Sequence, residues 1–77
     1  MKDLLRYIVQ AMVDNPDQVK TNEIEGDQVT VLELSVAKSD IGKVIGKQGK
    51  NATAIRTILS AAAAKRRKRI TLEIMDR

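Results

Sequence analysis

The chain has 77 residues, a formal net charge of +4, no Cys, His, Trp or Phe, and one aromatic residue, Tyr7. This length holds one domain with a small core, which buries only about 60% of the surface of the unfolded chain. Lacking Cys and His, the sequence has no disulfide, no usual zinc ligand set and no Ser-His-Asp or Cys-His machinery, and one tyrosine cannot build the stacked-aromatic platform of an RNA-recognition motif or an oligonucleotide-binding barrel.

Residues 3–14 read as an amphipathic helix, because Leu4, Leu5, Ile8, Val9, Met12 and Val13 recur at three- and four-residue spacing. Asp3 is its expected N-cap, and Asn15-Pro16 its expected stop, since the residue before proline avoids helical angles. Residues 18–25 are weakly strand-like, with Val19 and Ile24 as their large apolar groups. Gly26-Asp27 reads as a two-residue hairpin turn in which glycine takes a positive φ. Val29–Val36 is the strongest strand, with Thr30, Leu32, Leu34 and Val36 on one face. Ser39 or Asp40 is placed to cap a short helical turn that runs to Ile45. After Gly46-Lys47-Gln48-Gly49, a helix is expected from Lys50 to Ala64, with Ile55, Ile58, Leu59 and Ala62 as its apolar stripe and an alanine run at 61–64 favouring it. Lys65–Arg69 is five consecutive bases, and Ile70–Met75 is a last strand with Ile70, Leu72 and Ile74 on one face.

The order is thus α-β-β-α-α-β. A hairpin makes the first two strands antiparallel, and the crossover through two helices makes the second and third parallel. The expected fold class is α+β: a three-stranded mixed sheet covered on one face by three helices.

Charge is unevenly spread. Residues 1–37 carry a net −4 and residues 38–77 a net +8. A cationic half of this kind points to a polyanionic partner. The motif that sharpens the reading is Ile41-Gly42-Lys43-Val44-Ile45-Gly46-Lys47-Gln48-Gly49-Lys50-Asn51. Its Gly-x-x-Gly loop frees the backbone from side chains and leads into a helix N-terminus, where unpaired amides and the positive end of the helix dipole favour phosphate. Lys43, Lys47 and Lys50 surround it. A P-loop is excluded: Gly42 and Gly46 enclose three residues rather than four, and Lys47 is followed by Gln48 rather than a hydroxyl residue. No Gly-x-Gly exists for a dinucleotide fingerprint, and the carboxylates Asp40 and Glu73 form no evident catalytic pair.

Ile45-Gly46-Lys47-Gln48-Gly49, lying between two helices after a strand, resembles the signature of the KH domain, whose Gly-x-x-Gly loop clamps about four nucleotides of single-stranded RNA. The α-β-β-α-α-β order is similar to the type II topology over the whole chain. With its Leu-Leu-Arg-Tyr-Ile-Val helix and its Ile-Gly-Lys-Val-Ile-Gly-Lys-Gln-Gly loop, the chain resembles the KhpA family. The resemblance implies a small cytoplasmic RNA-binding protein, an RNA chaperone or post-transcriptional regulator, with neither enzymatic activity nor cofactor nor metal nor membrane attachment. It also implies a homodimer, or a heterodimer with a second KH-domain protein, and leaves open a reading in which association is the main role. The RNA-contacting residues would be Ile41, Gly42, Lys43, Ile45, Gly46, Lys47, Gln48, Gly49, Lys50 and Asn51, with Arg66 and Arg67 of the basic run bordering the other side of the groove. Ala52 departs from the pattern, since many KH domains carry a large aliphatic residue there, and implies a shallower groove floor. For association, the small residues Ala54, Thr57 and Ala61 on the outer side of the long helix are the expected surface.

Overall fold

The computed structural model describes residues 1–75. Helix α1 spans Lys2–Gln10 and buries Leu5 and Val9, one turn apart, completely. It ends four residues short of the expected boundary. Its last turn tightens, with Met12 N–H donating to the Val9 carbonyl at 2.9 Å, three residues back rather than four. The amides of Asp14 and Asn15 then bond the Asp40 carboxylate instead of helical carbonyls. The helix therefore ends before Pro16 is reached, and a distant side chain takes up the amides that follow it. Nor is Asp3 the N-cap. Met1 holds that position, and Asp3 sits in the first turn, 3.9 Å from Arg6, where its charge still meets the positive end of the dipole.

A single 3-10 turn over Pro16–Gln18 leads into strand β1, Lys20–Glu25, shorter than the expected 18–25. Strand β2 spans Val29–Ser35 and strand β3 Arg69–Met75. The sheet order is β1-β2-β3. β1 and β2 are antiparallel from Lys20 opposite Ser35 to Glu25 opposite Thr30, while β2 and β3 are parallel from Val29 beside Arg69 to Ser35 beside Met75. The mixed sheet is the one the sequence predicts. The hairpin is not: its connection has three residues, 26–28, closed by Gly26 N–H donating to the Val29 carbonyl at 2.9 Å. Gly26 is not among the positive-φ glycines. Glycine is required there for space, because a Cβ would lie 2.8 Å from the Val29 carbonyl oxygen.

The alternation of β2 holds, with Thr30, Leu32 and Leu34 buried beneath the helices, followed by Val36. Leu72 of β3 is buried beside them, and Ile70 and Ile74 are half-buried. Helix α2 covers Ile41–Ile45, and helix α3 covers Lys50–Ala64, the range expected. α3 seats Ile55, Leu59 and Ala63 in the core, a straight row at four-residue spacing. Ile58, expected in that row, is 49% exposed, because one residue turns it about 100° from Leu59. Ala63 rather than Ala62 is the fully buried alanine, and its small side chain lets the end of α3 lie close to the sheet. Each fully buried leucine contributes about 1.5–3 kcal/mol of transfer free energy, which concentrates stability in Leu5, Leu32, Leu34 and Leu59.

Candidate nucleic-acid interface

The glycine loop is held in place from both ends of α2. At the start stands Asp40, 1% exposed. It follows a 3-10 turn over Lys38–Asp40 and occupies the N-cap position, yet neither it nor Ser39 makes the expected side-chain cap. Its carboxylate is turned away. Oδ1 accepts the Asp14 amide at 3.3 Å, and Oδ2 accepts the Asn15 amide at 3.0 Å and the Asn15 side-chain Nδ2 at 3.1 Å. Burial pushes the Asp40 carboxyl up, but these three hydrogen bonds and the nearby Lys43 charge outweigh it and hold the group below the usual aspartate range. The chain after α1 is thereby fastened to the first residue of the functional helix. Val44 faces the core completely and Ile41 packs half-buried against it. Gly42, Lys43 and Ile45 face outward, Ile45 with 38% exposure.

At the far end of α2, Gly46 has φ 76° and ψ 173°. It needs glycine twice over, since a Cβ would also lie 2.6 Å from Asn51 Cγ. The Asn51 side chain packs there because its Nδ2 donates to the Lys43 carbonyl at 2.8 Å, satisfying one of the orphan carbonyls of α2. Asn51, expected at the RNA surface, is exposed and thus has one of its two side-chain amide hydrogens committed to bracing the loop. Lys47–Gly49 form one 3-10 turn in which Gln48 takes φ 58° and Gly49 φ 75°. Gly49 needs only its left-handed angle, with open space where a Cβ would go. Gln48 adopts the same region as a non-glycine, a strain of about 1–2 kcal/mol. Ala52 is half-buried on the first turn of α3.

Charge around the loop is selective. Lys43 pairs its ammonium with the Asp14 carboxylate, and that hydrogen bond raises its pKa above the ordinary lysine value. Lys47 and Lys50 are exposed and make no ion pair among the described residues. No side chain caps α3, so the positive end of a fifteen-residue helix is directed at the loop.

The basic run is divided among three elements. Lys65–Arg67 turn the chain out of α3, with Arg67 at φ 58°. Lys68 pairs with Glu25 at 3.2 Å, and Arg69 begins β3. Arg66 and Arg67 are exposed, but they stand at the opposite end of α3 from the glycine loop, about 22 Å away along fifteen residues. The structure brings together Ile41–Asn51 and leaves Arg66 and Arg67 apart from them. The bracing residues Asp14, Asn15 and Asp40 were not legible as part of this site, because they meet only through contacts 25 and 26 residues apart.

An α-β-β-α-α-β chain, with a mixed three-stranded sheet and a Gly-x-x-Gly crossing between α2 and α3, has the architecture of a KH domain. The family model described as "KhpA/KhpB, KH domain" matches residues 2–74. A protein of Caldanaerobacter subterraneus named RNA-binding protein KhpA is 55% identical over 75 residues, covering 97% of this chain and 100% of its own. Proteins of the same name from Borreliella burgdorferi and Chlamydia pneumoniae are 53% identical over 74 residues and 47% identical over 76 residues, covering 96% and 99% of this chain and 90% and 97% of theirs. The chain belongs to the KhpA/KhpB family of KH-domain proteins.

Proposed function

We propose that this chain is a single RNA-binding domain that holds single-stranded RNA at the Gly46–Gly49 loop, acting as a small RNA chaperone or post-transcriptional regulator and not as an enzyme. The observation that carries the reading is the loop itself: a glycine crossing closed to any side chain at Gly46, bearing Lys47 and followed by Lys50, neither ion-paired among the described residues, and faced by the uncapped end of α3. The names borne by its relatives agree with it. A phosphate meets the loop amides and the Lys47 ammonium, Lys50 neutralises a neighbouring phosphate, and bases turn toward Ile45 and the half-buried Ile41. Gly42 adds no side chain to the outer surface of α2 beside Lys43 and Ile45. No helix among the described residues is long and apolar enough to cross a membrane, and a cytoplasmic site of action suits an RNA ligand. The test is Lys47→Asp with Gln48→Asp. Both side chains are exposed, so thermal unfolding stays as in the wild type, while affinity for a single-stranded oligonucleotide falls at least tenfold. Wild-type binding by this variant would end the assignment.

A second reading concerns association as a homodimer or with a second KH-domain protein. It rests on Ile58, a large apolar side chain left 49% exposed on α3 among the exposed Ala54, Thr57 and Ala61. Small neighbours let a partner helix approach and bury that isoleucine. Ala61→Arg and Ile58→Arg each yield a folded monomer in sedimentation analysis if this surface is the interface. A dimer that survives both substitutions lies elsewhere.

A further inference from the structure

Lys43 lies one helical turn before Gly46, where an ammonium could reach a phosphate held by the loop. The structure gives it instead to Asp14, 29 residues away in sequence. That approach is set by tertiary structure. The Asp14 backbone is itself anchored on Asp40 at 3.3 Å, and Asn15 adds two more bonds to the same carboxylate, so the Asp14 side chain is delivered to Lys43 by a segment clamped to the start of α2. Asp40 accepts three other N–H donors and adds only its nearby charge to the field at the ammonium, whose ion-pair partner among the described residues is Asp14. The Asp14 side chain is 72% exposed and the Lys43 side chain 46%. An exposed pair of this kind adds little to stability. Its larger consequence is electrostatic, since a fixed carboxylate stands beside a loop that attracts phosphate, and charges this close are only partly screened at physiological salt.

We propose that Asp14 is an affinity-limiting residue of the RNA interface: it occupies Lys43 as a phosphate would, withholding one cation from the backbone-contacting set and lowering affinity for RNA of any sequence. The proposal rests on the RNA-binding reading of the loop. Phosphate contacts carry no sequence information, so the withheld cation weakens every sequence alike and leaves the ratio of affinities between sequences unchanged.

The experiment titrates labelled ten-nucleotide oligo(U) and oligo(A) between 50 and 300 mM KCl with the full chain. Each phosphate contact on a single strand contributes about 0.7 to the log–log salt slope. Asp14→Asn, which frees Lys43, steepens the slope by about 0.7 and tightens both oligonucleotides about fourfold at 0.15 M salt. The double variant Asp14→Asn with Lys43→Gln returns to the wild-type slope and affinity. An unchanged slope in Asp14→Asn overturns the proposal, and so does a gain that persists in the double variant, since Lys43 would not then be its source. Lys47→Asp with Gln48→Asp is run alongside. If that variant loses binding while Asp14→Asn is flat, only the Asp14 proposal falls; if it binds as the wild type does, the loop reading falls and takes the proposal with it.

Discussion

The two ends of α3 are both basic, and they are built on opposite principles. At the N-terminal end the backbone dominates: Gly46 and Gly49 open the turn, no side chain caps the helix, and two lysines stand unpaired among the described residues. At the C-terminal end side chains dominate, yet one of the five bases pairs with Glu25 and another opens β3. The helix dipole separates the two ends further. Its positive pole adds to the attraction for an anion at the loop, whereas at the basic turn Lys65–Arg67 meet the negative pole of their own helix. The longer run of positive charge is therefore the weaker candidate for a phosphate contact.

The largest expected effect tests the backbone end. Gly46→Ala meets both a left-handed φ and the Asn51 side chain, and should destabilise the fold by about 2–4 kcal/mol in urea unfolding. Gly49→Ala meets only the angle, and should lose about 1–2 kcal/mol. Equal losses would mean that the Asn51 contact does not brace the loop. Next, replacing Lys47 and Lys50 with Ala should flatten the salt dependence of RNA binding by about 1.4, while Arg66→Ala with Arg67→Ala leaves a four-nucleotide ligand unaffected. An equal loss from the arginine pair would erase the distinction between the two ends.

The brace behind the loop has a pH signature. The Asp40 carboxyl is depressed in the folded state, so its stabilisation is fully present above the ordinary aspartate value of 3.8 and is lost as pH falls through the lower folded value. Urea midpoints measured from pH 7 down to pH 3 should drop for the wild type below about pH 4 and vary less in Asp40→Asn. Parallel pH profiles would show that Asp40 is not the titrating brace. The smallest effect belongs to the basic turn: Lys68→Ala, which breaks the pair of a half-buried lysine with the exposed Glu25, should change stability by less than about 1 kcal/mol and leave RNA affinity alone.

What was legible in the sequence follows from locality. The alternation of Val29–Val36, the bounds of α3 and the place of the glycine loop between two helices depend on neighbours in the chain, and the structure agrees with each. The end of α1 was not legible, because the chain leaves the helix in a tightened turn from Met12 to Val9 before Pro16 is reached, and the amides after it bond the distant Asp40. The state of Lys43 was hidden in the same way by Asp14. Ile58 fits a helical stripe in sequence, but the sheet covers only the narrow row through Ile55, Leu59 and Ala63. A run of five bases reads as one patch until a turn, an ion pair and a strand divide it.

The bond from Asn15 to Asp40 closes only when segments 25 residues apart have met. Seating of the loop-bearing helix and docking of the chain after α1 are thereby one cooperative event. Hydrogen exchange at the Asp14 and Asn15 amides, which draw their protection from that carboxylate, reports the opening of α2 from a position outside the loop itself. Two backbone amides in an otherwise unremarkable connection thus serve as a spectroscopic gauge of whether the glycine loop is presented.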